Sequence, residues 1–259
     1  MALFYGTTPI DRAIEGSENA LEQVEGDRRT QALVMTRLAE LYARRGEIGR
    51  GRDTYRNARA MLTELGSDLH AASVALQAWR VEMLAGDVAA AERELRDAHG
   101  VLESLGDRYY LSTVAAALAV VLVEAGRLDE ADAFADEAAR LADDDDVQSQ
   151  TLWRRARARS DAARGQFEEA VRSAREAVRL SGSTQDVLMH AEALRDLANV
   201  LRTAGDNEAA LVASRAALEQ FAAKGDLVSV AQAQSRPAPM QDGAPSVLDP
   251  DPGAAALDA

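Results

Sequence analysis

The side chains in this chain that are best suited to bind another molecule are its arginines. The sequence has 259 residues, and Lys224 is the one lysine among its 29 basic residues. The planar fork of an arginine side chain binds a carboxylate or a phosphate through two parallel hydrogen bonds. The net charge is nevertheless −14, whereas a nucleic-acid partner requires positive charge to neutralise its phosphates. The composition therefore argues against a nucleic-acid partner.

The residue types that enzymes use for catalysis are absent or scattered. There is no cysteine, which excludes disulfides, thiolate metal sites and a cysteine nucleophile. His70, His99 and His190 have no ligand spacing, and the sequence has neither a G-x-x-x-x-G-K-[ST] loop nor a serine in a nucleophile-elbow pattern. We expect a protein that is not an enzyme and that has no cofactor and no metal site.

The acidic run from Asp143 to Asp146 resembles a metal cluster only superficially. It lacks the D-x-D-x-D-G spacing of a calcium loop, and it falls at the expected start of a helix. Acidic side chains at that position cap the helix and interact well with its positive end. We therefore expect capping and not metal binding.

The sequence also predicts where the protein resides. Residues 1 to 8 lack the basic start and long apolar segment of a secretory signal. The most apolar run, from Val114 to Val123, is too short to span a bilayer. Together with the missing cysteines, these features predict a cytoplasmic protein without a membrane anchor.

Glycines recur at a fixed period and define the elements that must position the arginines. They stand at Gly46, Gly86, Gly126, Gly165 and Gly205, so the successive intervals are 40, 40, 39 and 40 residues. Spacing of this kind is the signature of a repeat array. Each glycine is expected to end one helix in the left-handed conformation and to begin a turn into the next.

Small residues recur with the same period inside the second helix of each unit. They fall five and twelve positions after the glycine and predict a buried stripe that lets two helices approach closely. The first set is Gly51, Ala91, Ala131, Ala170 and Ala210, and the second is Ala58, Ala98, Ala138, Ala177 and Ala217.

The pattern predicts five helix pairs between two capping helices. The N-terminal capping helix runs from Pro9 to about Val24, and the C-terminal one covers 226–235. First helices are expected near 27–45, 67–85, 107–125, 146–164 and 185–204, and second helices near 47–65, 87–105, 127–142, 166–181 and 206–224. We expect residues 1–8 to be a linker, 9–235 the solenoid, and 236–259 a disordered tail, because that tail is rich in proline and carries four aspartates.

The repeat resembles the tetratricopeptide family. The residues that carry the resemblance are Gly126-Arg127-Leu128-Asp129-Glu130-Ala131 with Ala138, and Gly165-Gln166-Phe167-Glu168-Glu169-Ala170 with Ala177. The period of about 40 residues departs from the 34 that are typical of that family. The resemblance implies an all-α, right-handed α-solenoid of antiparallel helix pairs that binds other proteins.

A second resemblance covers shorter segments. The segments 5–10, 85–95, 110–113 and 149–154 are similar to the C-terminal repeat region of actinobacterial signalling proteins that carry an adenylate/guanylate cyclase domain and a P-loop ATPase. Neither catalytic domain is present in this chain. This resemblance implies a regulatory arm for signal transduction, whose partner is a protein or peptide or other domains of a larger parent chain.

The tetratricopeptide resemblance also implies a binding surface, because that family presents its first helices on the concave side. Positions counted back from each turn glycine place six arginines there beside Glu40, Glu124 and Glu192. We expect a groove for an acidic peptide or segment. Its predicted residues are Arg44, Arg80, Arg155, Arg159, Arg195, Asn199 and Arg202.

Two other interpretations of these arginines stay open. They could form a solvated helix face with intrahelical pairs such as Glu192 with Arg195, or they could hold a small acidic metabolite inside the superhelix. Arg157 and Asp161, four residues apart in unit four, are expected to form a structural ion pair or else a polar step that moves on ligand binding.

Overall fold

The computed structural model describes residues 5–235, and this part of the chain is an all-α solenoid of antiparallel helix pairs. Residues 1–4 of the expected linker and the expected tail 236–259 lie outside the described residues. The helices are α1 Ile10–Gln23, α2 Arg28–Arg44, α3 Ile48–Glu64, α4 Asp68–Ser73, α5 Ala75–Leu84, α6 Val88–Leu105, α7 Arg108–Glu124, α8 Leu128–Leu141, α9 Val147–Ala163, α10 Phe167–Gly182, α11 Val187–Thr203, α12 Asn207–Lys224 and α13 Leu227–Ser235.

The first helix of unit two differs from the expectation, which was one helix over 67–85. It is divided at Val74 into α4 and α5, although the backbone of Val74 keeps helical dihedrals. The Ser73 hydroxyl donates to the carbonyl of His70 at 2.8 Å, and the amide of Val74 reaches that same carbonyl at 3.3 Å. A serine side chain that competes for a helix carbonyl weakens the backbone ladder at that point.

The turns between helices form as the glycine and aspartate pattern predicts. Gly126 has φ 75°, and the other four periodic glycines also have positive φ. Aspartates then begin the following helices: Asp107 accepts a hydrogen bond from the amide of Tyr110 at 2.8 Å, and Asp146 accepts one from Ser149 at 3.2 Å. Asp146 therefore caps α9, as expected for the acidic run in which it lies.

The periodic small residues form the close contacts between first and second helices. The alanines of both sets are all buried in the core. Gly51 occupies the first-set position in α3, and a Cβ at that position would lie 2.8 Å from the carbonyl oxygen of Ala39 in α2. The helices of unit one therefore approach more closely than an alanine would permit.

The two ends of the array meet. Helix α13 occupies the place of a sixth first helix and packs against α2, the first helix of unit one. The Lys224 ammonium donates to the carbonyl of Gly6 at 2.5 Å. Val230 of α13 packs against an apolar cluster that contains Leu194 and Phe221. The chain therefore returns to its own beginning after five helix pairs.

One expectation for a side-chain pair can be compared with the structure. The pairing of Arg157 with Asp161 is wrong: Arg157 reaches across to helix α8 and pairs with Asp132 and Asp136, because these carboxylates lie closer to its guanidinium than the one on its own helix. Trp79 is buried in the core, and Trp153 is partly buried against the same cluster.

Within residues 5–235, no helix combines the length and apolar character needed to cross a membrane.

We predict that Gly51→Ala destabilises the protein by about 1–3 kcal/mol, because the new methyl group would press on the backbone carbonyl of Ala39. Gly49→Ala is the matched control, since Gly49 lies in the same helix and its new methyl group would have no neighbour within 4 Å. There the better helix propensity of alanine should stabilise the protein by up to ~1 kcal/mol. Urea denaturation measures both changes, and equal stability of the two variants would contradict the close approach.

Candidate functional site

The candidate site is centred on one carboxylate, that of Glu192 in α11. Arg44 of α2 donates to its Oε1 at 2.7 Å, and Arg155 of α9 donates to its Oε2 at 2.9 Å. Arg80 of α5 reaches the same Oε2 at 3.4 Å. Arginines from units one, two and four therefore converge on a single glutamate in unit five.

Arg44 connects the beginning of the array to its end. Its side chain is 1% exposed and pairs with Glu40 at 2.8 Å, with Glu192 at 2.7 Å and with Asp226 at 2.6 Å. Glu192 and Asp226 lie 148 and 182 residues away in the sequence. Asp226 begins helix α13 and also accepts hydrogen bonds from Ser229, so this guanidinium joins α2, α11 and the C-terminal capping helix.

Two further ion pairs extend the network along the first helices. The Nε of Arg155 donates to Asp196 at 2.7 Å. Arg159, one turn further along α9, pairs with Glu124 at the end of α7. The side chains of this second pair are partly exposed, 20% for Arg159 and 36% for Glu124, so it lies where the network meets solvent.

Arg195 differs from the other arginines of the network. Within residues 5–235 its guanidinium has no hydrogen bond and no ion pair, and it lies 5.7 Å from the ring centroid of Phe221. Burial lowers the pKa of Arg195. The carboxylates of Asp196 and Glu192 act to raise this pKa, and the positive charges of Arg155 and Arg159 act to lower it. Arg195 is therefore a partly buried cation without a carboxylate bound to it.

The last two predicted residues contact each other. Arg202 donates to the side-chain oxygen of Asn199 at 3.1 Å. Asn199 lies one helical turn beyond Arg195 on α11, and both Asn199 and Arg202 are partly exposed. The seven predicted residues thus divide into a buried group, which includes Arg44, Arg80 and Arg155, and a solvent-facing group. The solvent-facing group comprises Arg159, Arg195, Asn199 and Arg202.

The arginines hold Glu192 and Asp196 in the charged form. Burial alone would raise the pKa of Glu192, but Arg80, Arg155, Arg44 and Arg195 hold it well below its ordinary value of 4.5. Burial likewise opposes ionisation of Asp196, and Arg155 and Arg159 lower its pKa below 3.8. Both carboxylates therefore stay ionised well into the acid range.

Two carboxylates of the network were not foreseen from the sequence. Asp196 follows Glu192 by four residues, the spacing that places two side chains on one helix face. Asp226 occupies the helix-start position that Asp146 and Asp186 hold in units four and five, so its sequence context indicated a helix cap. Only the meeting of α13 with α2 shows that it also binds Arg44.

The expected intrahelical pair of Glu192 with Arg195 is not among the contacts of the described residues, because Glu192 is turned towards arginines of three other helices.

The three histidines lie in separate places. His99 contacts Glu137, His190 contacts Ser181, and His70 contacts Arg29 and Ser67.

Comparison with known proteins supports the fold. No protein-family model matches the sequence, and no curated protein matches it. Among solved structures, the chain is similar to BtubC (BKLC) from P. vanneervenii, with 16% identity and a TM-score of 0.56 over 97% of this chain and 100% of that one. It is also similar to NprR in complex with its cognate peptide NprX, with 17% identity and a TM-score of 0.63 over 87% of this chain and 69% of that one.

A third similar structure is a Rap protein complexed with Competence and Sporulation Factor, with 14% identity and a TM-score of 0.57 over 88% of this chain and 69% of that one. The fold class that these comparisons define is a tetratricopeptide-like helical repeat array. At such low identities the similarity concerns the fold alone.

We predict that Glu192→Gln destabilises the protein by about 3 kcal/mol, because it removes the carboxylate that the buried Arg44 and Arg155 share and leaves their charge less fully compensated. Glu176→Gln is the control, since Glu176 pairs with Arg179 on the exposed face of α10, where an ion pair contributes less than about 1 kcal/mol. Chemical denaturation at pH 7 compares them, and a similar small loss in both would show that the network contributes little.

The depressed pKa values of Glu192 and Asp196 predict an acid-sensitive fold. A carboxylate whose pKa is lower in the folded state stabilises the fold above its unfolded pKa, and this stabilisation is lost as the pH falls towards the folded value. The free energy of unfolding should therefore fall below about pH 4.5, by up to about 1.4 kcal/mol per pH unit for each such group. Denaturation curves from about pH 6 downwards measure this slope, which should be shallower in Glu192→Gln.

Proposed function

We propose that this solenoid is a protein-interaction module that binds an acidic peptide, or an acidic segment of a partner protein, on the first-helix side of units four and five. The residues that would contact the ligand are Arg159, Arg195, Asn199 and Arg202. The observation that carries the proposal is Arg195, a partly buried guanidinium with no carboxylate bound to it in the described part of the chain.

The physical argument concerns the cost of a desolvated charge. A cation that is partly removed from water without a partner loses part of its hydration, and a carboxylate that arrives with good geometry recovers that loss. A peptide carboxylate could engage Arg195 bidentately. A second one could exchange with Glu124 on Arg159, since that pair is partly exposed and is therefore weak.

The buried arginines have a different place in this proposal. Arg44, Arg80 and Arg155 are bound by the carboxylates of Glu40, Glu192, Asp196 and Asp226. Their ion pairs are internal to the solenoid, and they support the solvent-facing group. Their direct contact with a ligand stays a prediction, because it would require one of these internal pairs to break.

The structural comparisons lend support of a general kind. NprR was solved with its cognate peptide, and the Rap protein with Competence and Sporulation Factor, so arrays of this fold form complexes with such ligands. The sequence has no cysteine and no P-loop or nucleophile-elbow motif, which agrees with a binding protein and not an enzyme. We place the module in the cytoplasm.

The resemblance to cyclase and ATPase signalling proteins carries a separate part of the proposal, that the solenoid is the regulatory arm of a larger polypeptide. An immunoblot of source-cell lysate tests it. A single band far above 27.7 kDa would support a larger parent chain, and a band at that mass would identify a free adaptor.

The binding proposal is tested with a fluorescein-labelled oligoglutamate peptide and fluorescence anisotropy. We expect Arg195→Glu and Arg159→Glu each to weaken binding by at least about tenfold, because each replaces attraction with repulsion. Arg172→Glu is the matched control, since Arg172 lies on the exposed face of α10 and pairs with Glu169. Equal effects of all three variants would mean that the peptide senses only the overall charge.

Hydrogen exchange distinguishes a peptide ligand from the alternative of a small acidic metabolite. A bound peptide should slow exchange in helices α7, α9 and α11 together, since these carry the solvent-facing residues and Glu124. Protection confined to one or two helices by a small dicarboxylate, with none from the peptide, would favour the metabolite and contradict the proposal.

A further inference from the structure

The chain itself contains an acidic segment that is well placed to reach the proposed site. After Arg236, the remaining residues carry four aspartates and no basic residue. The described part of the chain ends with α13 at Ser235, which lies one 40-residue period after Arg195. Ser235 is therefore the repeat equivalent of Arg195, on the next first helix of the array.

The repeat register gives the distance that this segment has to cover. Val230 of α13 packs on the same apolar cluster as Leu194 and Phe221, and the guanidinium of Arg195 lies over the ring of Phe221. Packed helices have axes about 8–10 Å apart, so Ser235 lies on the order of 10–20 Å from Arg195. Asp242 follows Ser235 by seven residues, which can span up to about 23–25 Å when extended.

Charge complementarity indicates which segment would bind at Arg159 and Arg195. Arg195 has no carboxylate bound to it in residues 5–235. In the same part of the chain Arg159 forms one ion pair, with Glu124, and Glu124 is partly exposed. The segment 240–252 offers Asp242, Asp249 and Asp251 without a compensating cation. A short tether also keeps the local concentration of these aspartates near the millimolar range, so even a weak contact would be populated.

We propose that the segment 240–252 of this chain docks in cis on Arg159 and Arg195, and that an acidic partner must displace it to bind. This inference rests on the proposed function, because it assigns the regulation of the same site. Because the segment is tethered, it competes at a fixed local concentration. A partner must therefore bind more tightly than the segment does at that concentration.

The absence of cysteine permits a direct test in the full chain. Ala244→Cys provides one position for a nitroxide label, whose proximity broadens nearby amide signals in NMR spectra. We expect broadening of residues 195–199 in α11 that disappears at about 0.5 M salt, where exposed charges are screened. No broadening there, or broadening confined to the exposed arginines of α10, would overturn the proposal.

Variants on both sides of the contact separate docking from an effect on folding. Asp242→Asn, Asp249→Asn and Asp251→Asn combined should abolish the broadening, and these changes lie outside the solenoid. Arg159→Gln with Arg195→Gln should abolish it as well. Arg172→Gln with Arg175→Gln, on the exposed face of α10, should leave it unchanged, and loss of broadening in this control pair would overturn the proposal.

The oligoglutamate peptide then measures the competition. The chain with the three neutralised aspartates should bind the peptide about three- to tenfold more tightly than the unmodified chain, because the tethered competitor is removed. The control neutralises Asp53, Glu168 and Glu208 on the exposed surface, so the net charge changes by the same amount, and it should change the affinity less than about twofold.

The outcomes distinguish the two proposals. If both chains bind the peptide equally and the nitroxide broadens no signal in α11, cis docking is wrong and the proposed function stands. If neither chain binds the peptide at low salt, the proposed function is wrong, and the regulatory role of the segment is wrong with it.

Discussion

The structure depends on the ion pairs that Arg44 makes with Glu192 and Asp226. These pairs join the first helix of the array to the last helix pair and to the C-terminal capping helix. Breaking such a buried pair by removing one partner typically costs about 3–5 kcal/mol. A repeat array in which each unit contacts only its neighbours has no such constraint, so this solenoid is held together end to end as well as unit by unit.

The same closure divides the arginines of the first helices into two groups with different physical roles. Those nearest the meeting of the two ends are buried and bound by internal carboxylates, as in the pair of Arg155 with Asp196. Of those towards the solvent, Arg159 has a partly exposed partner, and Arg195 has no carboxylate bound to it within residues 5–235. Burial makes the first group a structural element, and the second group is the one that we propose as the binding site for an acidic ligand.

Sequence reasoning predicted the helices closely because their determinants are local. A glycine such as Gly126 must adopt positive φ to end a helix, and an aspartate such as Asp107 caps the next one. The interruption at Val74 was missed, since no glycine or proline marks it in the sequence. The pairing of Arg157 was wrong for a related reason: its partners belong to another helix.

The sequence by itself determined the repeat, the helix boundaries and the alanine contacts, because each depends on neighbours within about one period. Only the tertiary structure decided which arginines are bound internally. Two of the three carboxylate partners of Arg44 lie 148 and 182 residues away, and they meet it only because the array turns back on itself. The angle between successive units accumulates over the whole chain, and no single motif encodes it.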